Sequence, residues 1–297
     1  MSSDLLNGLV IRTACVRRLG LGYICTGDPA KEAEGVPHAI TFRYQDGAFG
    51  RGEANFDAFA TTLISVPAPG LVSVSGAGDY SLVAPDGNRG GNLFDQGVPP
   101  ARSPRIAGIR GIGTIAGQAH VVGLRGLVYR FEGHGRWARL DDGLPESFDG
   151  QAIDGHALDA LVAVGRQGAI WRFDGTGWHA DDTPTEATLT SVVCGPDGMA
   201  WAAGHGGALL ACRDGAWQAI AHAMGDDIWD LAWFDGALYA STMRNVHVLR
   251  DGRLAPVDFG SDAPKSCYQL STAKDAMWSV GEFEVMAFDG TAWRRIV

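Results

Sequence analysis

Eight histidines, His38, His120, His134, His156, His179, His205, His222 and His247, are the first residues to test for chemistry, because imidazole binds metals and exchanges protons near neutral pH. Their spacing matches no ligand motif, and only His156 falls near a segment that a shared centre would use. Five cysteines, Cys15, Cys25, Cys194, Cys212 and Cys267, form an odd, scattered set without a C-x-x-C pair. That pattern predicts neither a disulfide framework nor a zinc site and points to buried, reduced thiols. No G-x-S-x-G elbow is present, and Cys194 and Cys212 lie inside strand-like runs that lack the exposure and positive surroundings of a reactive thiol. The many glycines form neither a phosphate loop nor a dinucleotide fingerprint. An enzyme would have to draw on Asp154, His156, Asp159 and Asp230, a poor set, so no catalytic residue, metal ligand or cofactor is predicted.

What recurs instead is charge. Arg125, Arg166, His205 and Arg244 stand at closely similar places in successive segments, and the stretches between segments carry Asp141, Asp142, Asp181, Asp182, Asp226, Asp227, Asp258 and Asp262. Glu282 and Phe283 break the series, and an exposed Phe283 would be a natural binding anchor. The functional expectation is a mixed-charge face for a protein partner, with Arg125, Arg166, His205, Arg244, Phe283, Asp181, Asp182, Asp226 and Asp227 as its contact residues. The same residue types also populate ordinary solvated turns.

The elements that must position these residues come from a repeat. An acidic residue followed by Gly recurs at Asp46-Gly47, Asp86-Gly87, Glu132-Gly133, Asp174-Gly175, Asp214-Gly215, Asp251-Gly252 and Asp289-Gly290, at spacings of 40, 46, 42, 40, 37 and 38. Such a pair between alternating apolar segments marks a tight hairpin, since both residues tolerate the positive φ the turn needs. Asp197-Gly198 and Asp235-Gly236 mark a second hairpin class earlier in the unit. Segments such as GLVYRFEG from Gly126 and GAIWRFDG from Gly168 precede the turns; Trp137, Trp178, Trp217 and Trp293 follow them. Four short strands per unit of about 40 residues read as a propeller blade. The expectation is therefore an all-β, seven-bladed β-propeller in one domain, residues 1–297, with blades near 9–57, 58–100, 101–146, 147–184, 185–225, 226–262 and 263–297. The polar stretch from Gly27 interrupts blade 1 as a long loop or short helix. The last blade owns its outer strand, TAWRRIV, so interlocked chain ends are not indicated, and residues 1–8 are candidates for edge cover.

The string V-G-x-x-G-x-I-x-R-F-D-G-x-x-W, at Val164–Trp178 and more loosely at Val122–Trp137 and Ala203–Trp217, resembles bacterial propellers of the sialidase-repeat and photosystem-assembly-factor type. The resemblance covers nearly the whole chain and implies architecture rather than activity. The sialidase Asp-box, S-x-D-x-G-x-T-W, is not reproduced: Asp174 is followed directly by Gly175, and Arg172 stands at the serine position. Trp229-Asp230 looks like a WD dipeptide but lacks its Gly-His partner and reads as coincidence.

Composition bounds the function. Hydrophobic residues at 46% and charged residues at 20% describe a chain that folds, and a formal charge of -10 disfavours nucleic acid or an anionic membrane and suits a basic protein. No leader or membrane span is read, so the cytoplasm is expected. The expectation is a non-enzymatic binding module, in its most concrete version a bacterial inhibitor, immunity or accessory protein for a toxin or secreted effector. The alternatives are a propeller hydrolase or lyase with a site at the channel mouth, and a sugar binder using Trp137, Trp178, Trp217 and Trp293. Those rings are expected to wedge between blades instead.

Overall fold

The computed structural model describes residues 6–95, 108–213 and 215–297. Three sequence expectations therefore lie outside the described residues: Asp214 of the fifth turn, the blade boundary at 101, and residues 1–5 of the edge cover. The described residues form seven four-stranded antiparallel sheets, each built from strands consecutive in the chain. This is the seven-bladed β-propeller that the acidic-Gly period predicted. The blades begin with first strands at Val10–Arg18, Ala58–Ile64, Ile109–Ile115, Gly150–Ala157, Leu189–Cys194, Asp230–Phe234 and Gln269–Thr272.

The chain divides into two compact units, Ala60–Asp227 and the pair of segments Met1–Phe59 and Ile228–Val297. The first unit holds blades 2 to 5. Its second strands, such as Gly70–Ser75 and Ala200–Gly204, are mostly apolar and wholly buried, because neighbouring sheets cover both of their faces. Its outer strands, such as Gly87–Asn92, face water on most positions and are rich in Gly and Asn. Cores form between blades rather than within them: Ile115, Val122 and Val128 of blade 3 pack with Ile153, Leu161 and Trp178 of blade 4. Trp178 and Trp217 anchor these seams through their ring N–H groups, Trp178 Nε1 donating to Leu140 O at 2.6 Å and Trp217 Nε1 to Asp181 Oδ2 at 3.1 Å. Trp137 packs edge-on against Tyr80 of blade 2. All three rings are buried, as wedges between blades require.

The second unit holds blades 1, 6 and 7. Blade 1 takes all its strands from the N-terminal segment and blade 7 all of its own from the C-terminal one, so no strand is shared between them. They meet by packing, with first strands running parallel: Ala14 N–H donates to Gln269 Oε1 and Val16 N–H to Ser271 Oγ, both at 3.0 Å. Gly22 is required at this seam, since a Cβ there would stand 2.3 Å from the Trp278 ring. Leu6 is buried in the core that blades 1 and 7 share, with Ile11 and Ile24 on one side and Trp278, Val285 and Val297 on the other. Trp293 differs from the other three repeat tryptophans in being only half-buried; it stacks on Phe288 and tilts against Phe259. The interruption in blade 1 contains a short helix, Pro29–Ala33, capped by Asp28. At the outer hairpin of the same blade Asp46 and Gly47 adopt φ of 49° and 93°, the left-handed pair that explains the residue types.

Candidate protein-binding face

In blades 3, 4 and 5 the second and third strands are joined by one 3-10 turn, Leu124–Gly126, Arg166–Gly168 and His205–Gly207, each preceded by Gly123, Gly165 or Gly204. The turns close alike, with Ala169 N–H donating to Arg166 O at 3.1 Å and Ala208 N–H to His205 O at 3.2 Å. The preceding glycine lets the hairpin lie backbone-on-backbone against the connection that enters its own blade: a Cβ on Gly204 would sit 1.9 Å from Thr188 O. The geometry corrects the equivalence of Arg125 with Arg166 and His205. Arg125 occupies the left-handed position, φ 60°, which Gln167 and Gly206 hold in the next two blades, and Leu124 is the true counterpart of Arg166 and His205. One residue of offset in a three-residue turn is invisible when only the charge is aligned.

The charges of this unit are largely spoken for. Arg125 pairs with Glu146 at 2.5 Å while its N–H donates to Asp149 Oδ1 at 3.2 Å; Arg166 stands 4.0 Å from the same Asp149 and is 60% exposed. His205 is exposed, and the next residue, Gly206, donates its N–H to Asp227 Oδ1 at 2.7 Å. Asp182, Asp226 and Asp227 are exposed. Asp181 is the exception and a correction: its carboxylate, 5% exposed, receives Arg172 at 3.1 Å and the Trp217 indole, which leaves it a seam residue with almost no surface to offer a partner.

In the other unit the corresponding hairpins are built differently. Blade 6 turns through Thr242–Asn245, where Asn245 N–H donates to Thr242 Oγ1 at 3.2 Å and Thr242 N–H to Asn245 O at 2.8 Å, putting exposed Met243 and Arg244 at the tip. Arg244 therefore shares neither turn type nor register with Arg166. Blade 7 turns through Gly281–Glu284, whose Glu282 N–H donates to Ser266 Oγ at 2.9 Å, and Phe283 stands 51% exposed at its tip. Sequence reasoning missed two neighbours, Trp229 and Met243, both exposed. Met243 was legible as an apolar residue in a turn; Trp229 was set aside as a chance WD dipeptide.

Two of the three carboxylates considered for catalysis, Asp154 and Asp230, hold strands instead. Asp154, pushed up to about 6 by burial, accepts Cys194 N–H of the next blade at 2.8 Å, and Asp230 accepts Leu270 N–H of the next blade at 2.9 Å. His156 and Asp159 are exposed. His120 is fully buried, donates its Nδ1–H to Gln118 O, and is pushed down to about 4 by desolvation. Burial also raises the Cys194 thiol well above the ordinary range. Among the described residues no three His, Cys, Asp or Glu side chains come together as a metal site would need. With Trp137, Trp178 and Trp217 buried, those three rings present no stacking face for a sugar. No helix among the described residues is long and apolar enough to cross a membrane.

Comparison with known proteins follows the same line. No family model matches the chain. Among solved structures the fold resembles U3-55K, with a TM-score of 0.65 at 11% identity over 92% of this chain and 89% of that one. It also resembles YCF48 from Cyanidioschyzon merolae, with a TM-score of 0.55 at 15% identity over 80% and 88%. These likenesses show the propeller architecture that the repeat string implied. The relation to Immune protein Tsi7 of Pseudomonas aeruginosa is of another order: 32% identity over 299 aligned positions, covering 96% of each chain. The chain belongs to the family of Immune protein Tsi7.

Proposed function

We propose that this chain is a non-enzymatic immunity protein that acts by binding another protein, a toxin or secreted effector, and occluding it. The observation that carries the reading is the 32% identity to Immune protein Tsi7 over 96% of both chains. A propeller suits the task, because its connections vary while stacked sheets hold them rigid. The commitment of Asp154 and Asp230 to backbone hydrogen bonds between blades favours binding over catalysis. Within Ala60–Asp227 the contact residues we assign are Arg125, Arg166, His205, Asp182, Asp226 and Asp227; within the other unit they are Arg244 and Phe283. A net charge of -10 favours a basic partner through faster association and disfavours nucleic acid and anionic lipid. Five cysteines held as buried or half-buried thiols suit a reducing compartment, and we place the protein in the cytoplasm.

The test is co-expression with a toxin candidate encoded beside it in the source genome. Growth should be restored, and the two proteins should elute as one complex. Growth arrest that the chain does not relieve, with no complex formed, would overturn the reading.

A further inference from the structure

Six large apolar residues are exposed among the described residues, and four of them, Val36, Trp229, Met243 and Phe283, belong to the connections on one side of blades 1, 6 and 7. The remaining two, Val66 and Val83, lie in blade 2. Three of them, Trp229, Met243 and Phe283, are linked by the segment Ser266–Tyr268, which enters blade 7. Met243 O accepts Cys267 N–H at 3.0 Å, the Trp229 and Tyr268 rings meet edge-on at 6.3 Å, and Ser266 Oγ accepts Glu282 N–H beside Phe283. Glu282 O in turn accepts Ile11 N–H at the start of blade 1, whose long connection carries Val36. Parallel first strands in blades 7 and 1 put these connections on the same side.

The composition of this surface is that of an interface centre: two aromatic rings and a thioether, whose polarisable, unbranched chain adapts to a partner's shape. Its surroundings are acidic. Residues 28–38, 55–57, 242–245, 257–266 and 281–284 together carry eight Asp or Glu, of which Glu284 is buried, against three Lys or Arg. Arg12, reaching in from its strand, pairs with Glu32 and stands 3.8 Å from Asp57, and Arg295 pairs with Asp262, which leaves the acids in excess. Two copies of a chain of charge -10 would meet here against mutual repulsion, which argues against self-association as the use of the surface.

We infer that the connection side of blades 1, 6 and 7 is a docking patch for a basic protein, with Phe283 and Met243 as apolar anchors inside an acidic rim. This rests on the immunity reading and adds to it where the energy of binding is concentrated. The probe is the toxin candidate encoded beside the chain in the source genome, the one used in the co-expression test, purified on its own. Phe283→Asp combined with Met243→Asp should weaken its affinity about 30-fold or more, the effect of losing a hot spot of about 2 kcal/mol. Val83→Asp, an equally exposed apolar site elsewhere, should stay within about threefold of wild type, near the scatter of surface substitutions. Added salt should weaken the wild-type complex. If the double variant melts like wild type and binds the probe unchanged, the patch is overturned while the immunity reading stands. A wild-type chain that neither captures the probe nor protects against it overturns the reading and the patch together. An acidic or salt-insensitive probe overturns the basic chemistry of the occupant. A wild-type dimer in sedimentation that the double variant abolishes would assign the patch to a second copy instead.

Discussion

The same slot of the repeat, the hairpin between second and third strands, is used in two ways. In blades 3 to 5 it is a glycine-flanked 3-10 turn pressed against neighbouring backbone, with charged side chains drawn into local pairs such as Arg125–Glu146. In blades 6 and 7 it is one residue shorter, closed by Thr242 N–H to Asn245 O and Gly281 N–H to Glu284 O, and it lifts Met243 and Phe283 into solvent, although Gly281 is pressed on Ser266 O as the glycines of blades 3 to 5 are on their own connections. The difference teaches that charge on a propeller face reports local pairing as readily as recognition, whereas an apolar side chain at a turn tip has no such internal use. Turn residues are polar for local reasons, and an exposed Phe gains nothing from water.

This contrast can be broken or sharpened by measurement. The largest effect is expected at the blade seams. Trp217→Ala, removing a buried ring and its bond to Asp181, should destabilise by about 3–5 kcal/mol in urea titration, and Trp293→Ala, half-buried in the other unit, clearly less. Equal losses would remove the distinction drawn between these seams. Next comes the pressed hairpin: Gly204→Ala places a methyl against Thr188 O and should cost about 1–3 kcal/mol, while Met243→Ala leaves the melting curve in place.

The pH dependence is smaller and has two opposed parts. His120, held down to about 4 from 6.5, stays neutral in the fold while the unfolded chain takes up its proton, so this group withdraws stability as pH falls from 6.5 to 4. Asp154, raised to about 6 from 3.8, acts in reverse: its contribution is complete below 3.8 and is lost as pH rises through about 6. His120→Gln should therefore soften acid destabilisation and Asp154→Asn should deepen it, as read by melting between pH 4 and 7. Identical profiles for both variants would count against either burial. Smallest of all, Arg166→Ala should change stability by less than about 0.5 kcal/mol, since the pair with Asp149 is long and exposed.

Much of the architecture was legible because propeller blades write a period into the chain. Turns that need positive φ favour Asp, Asn or Gly, as at Asp46-Gly47, and seams that need a large ring repeat it, as Trp178 and Trp217 do. The site was legible only in part. Phe283 stands out in the sequence because it replaces a polar turn residue, but its type fits a buried strand start as well as an exposed tip, and the structure leaves it 51% exposed. Asp181 could not be told from Asp182 by type or spacing, yet one is buried under Arg172 and Trp217 and the other faces water. Trp229 was hidden for the opposite reason, since a Trp beside a strand is usually core.

By itself, then, the sequence determined the repeat, the seven blades and the acidic balance, all of which follow from local turn chemistry and composition. Tertiary structure alone decided which side chains remain available. Register within the hairpins offset Arg125 from Arg166, packing across a seam withdrew Asp181, and the segment Ser266–Tyr268 brought Trp229, Met243 and Phe283 to one surface. Availability depends on contacts between residues distant in the chain, which no single blade's sequence contains.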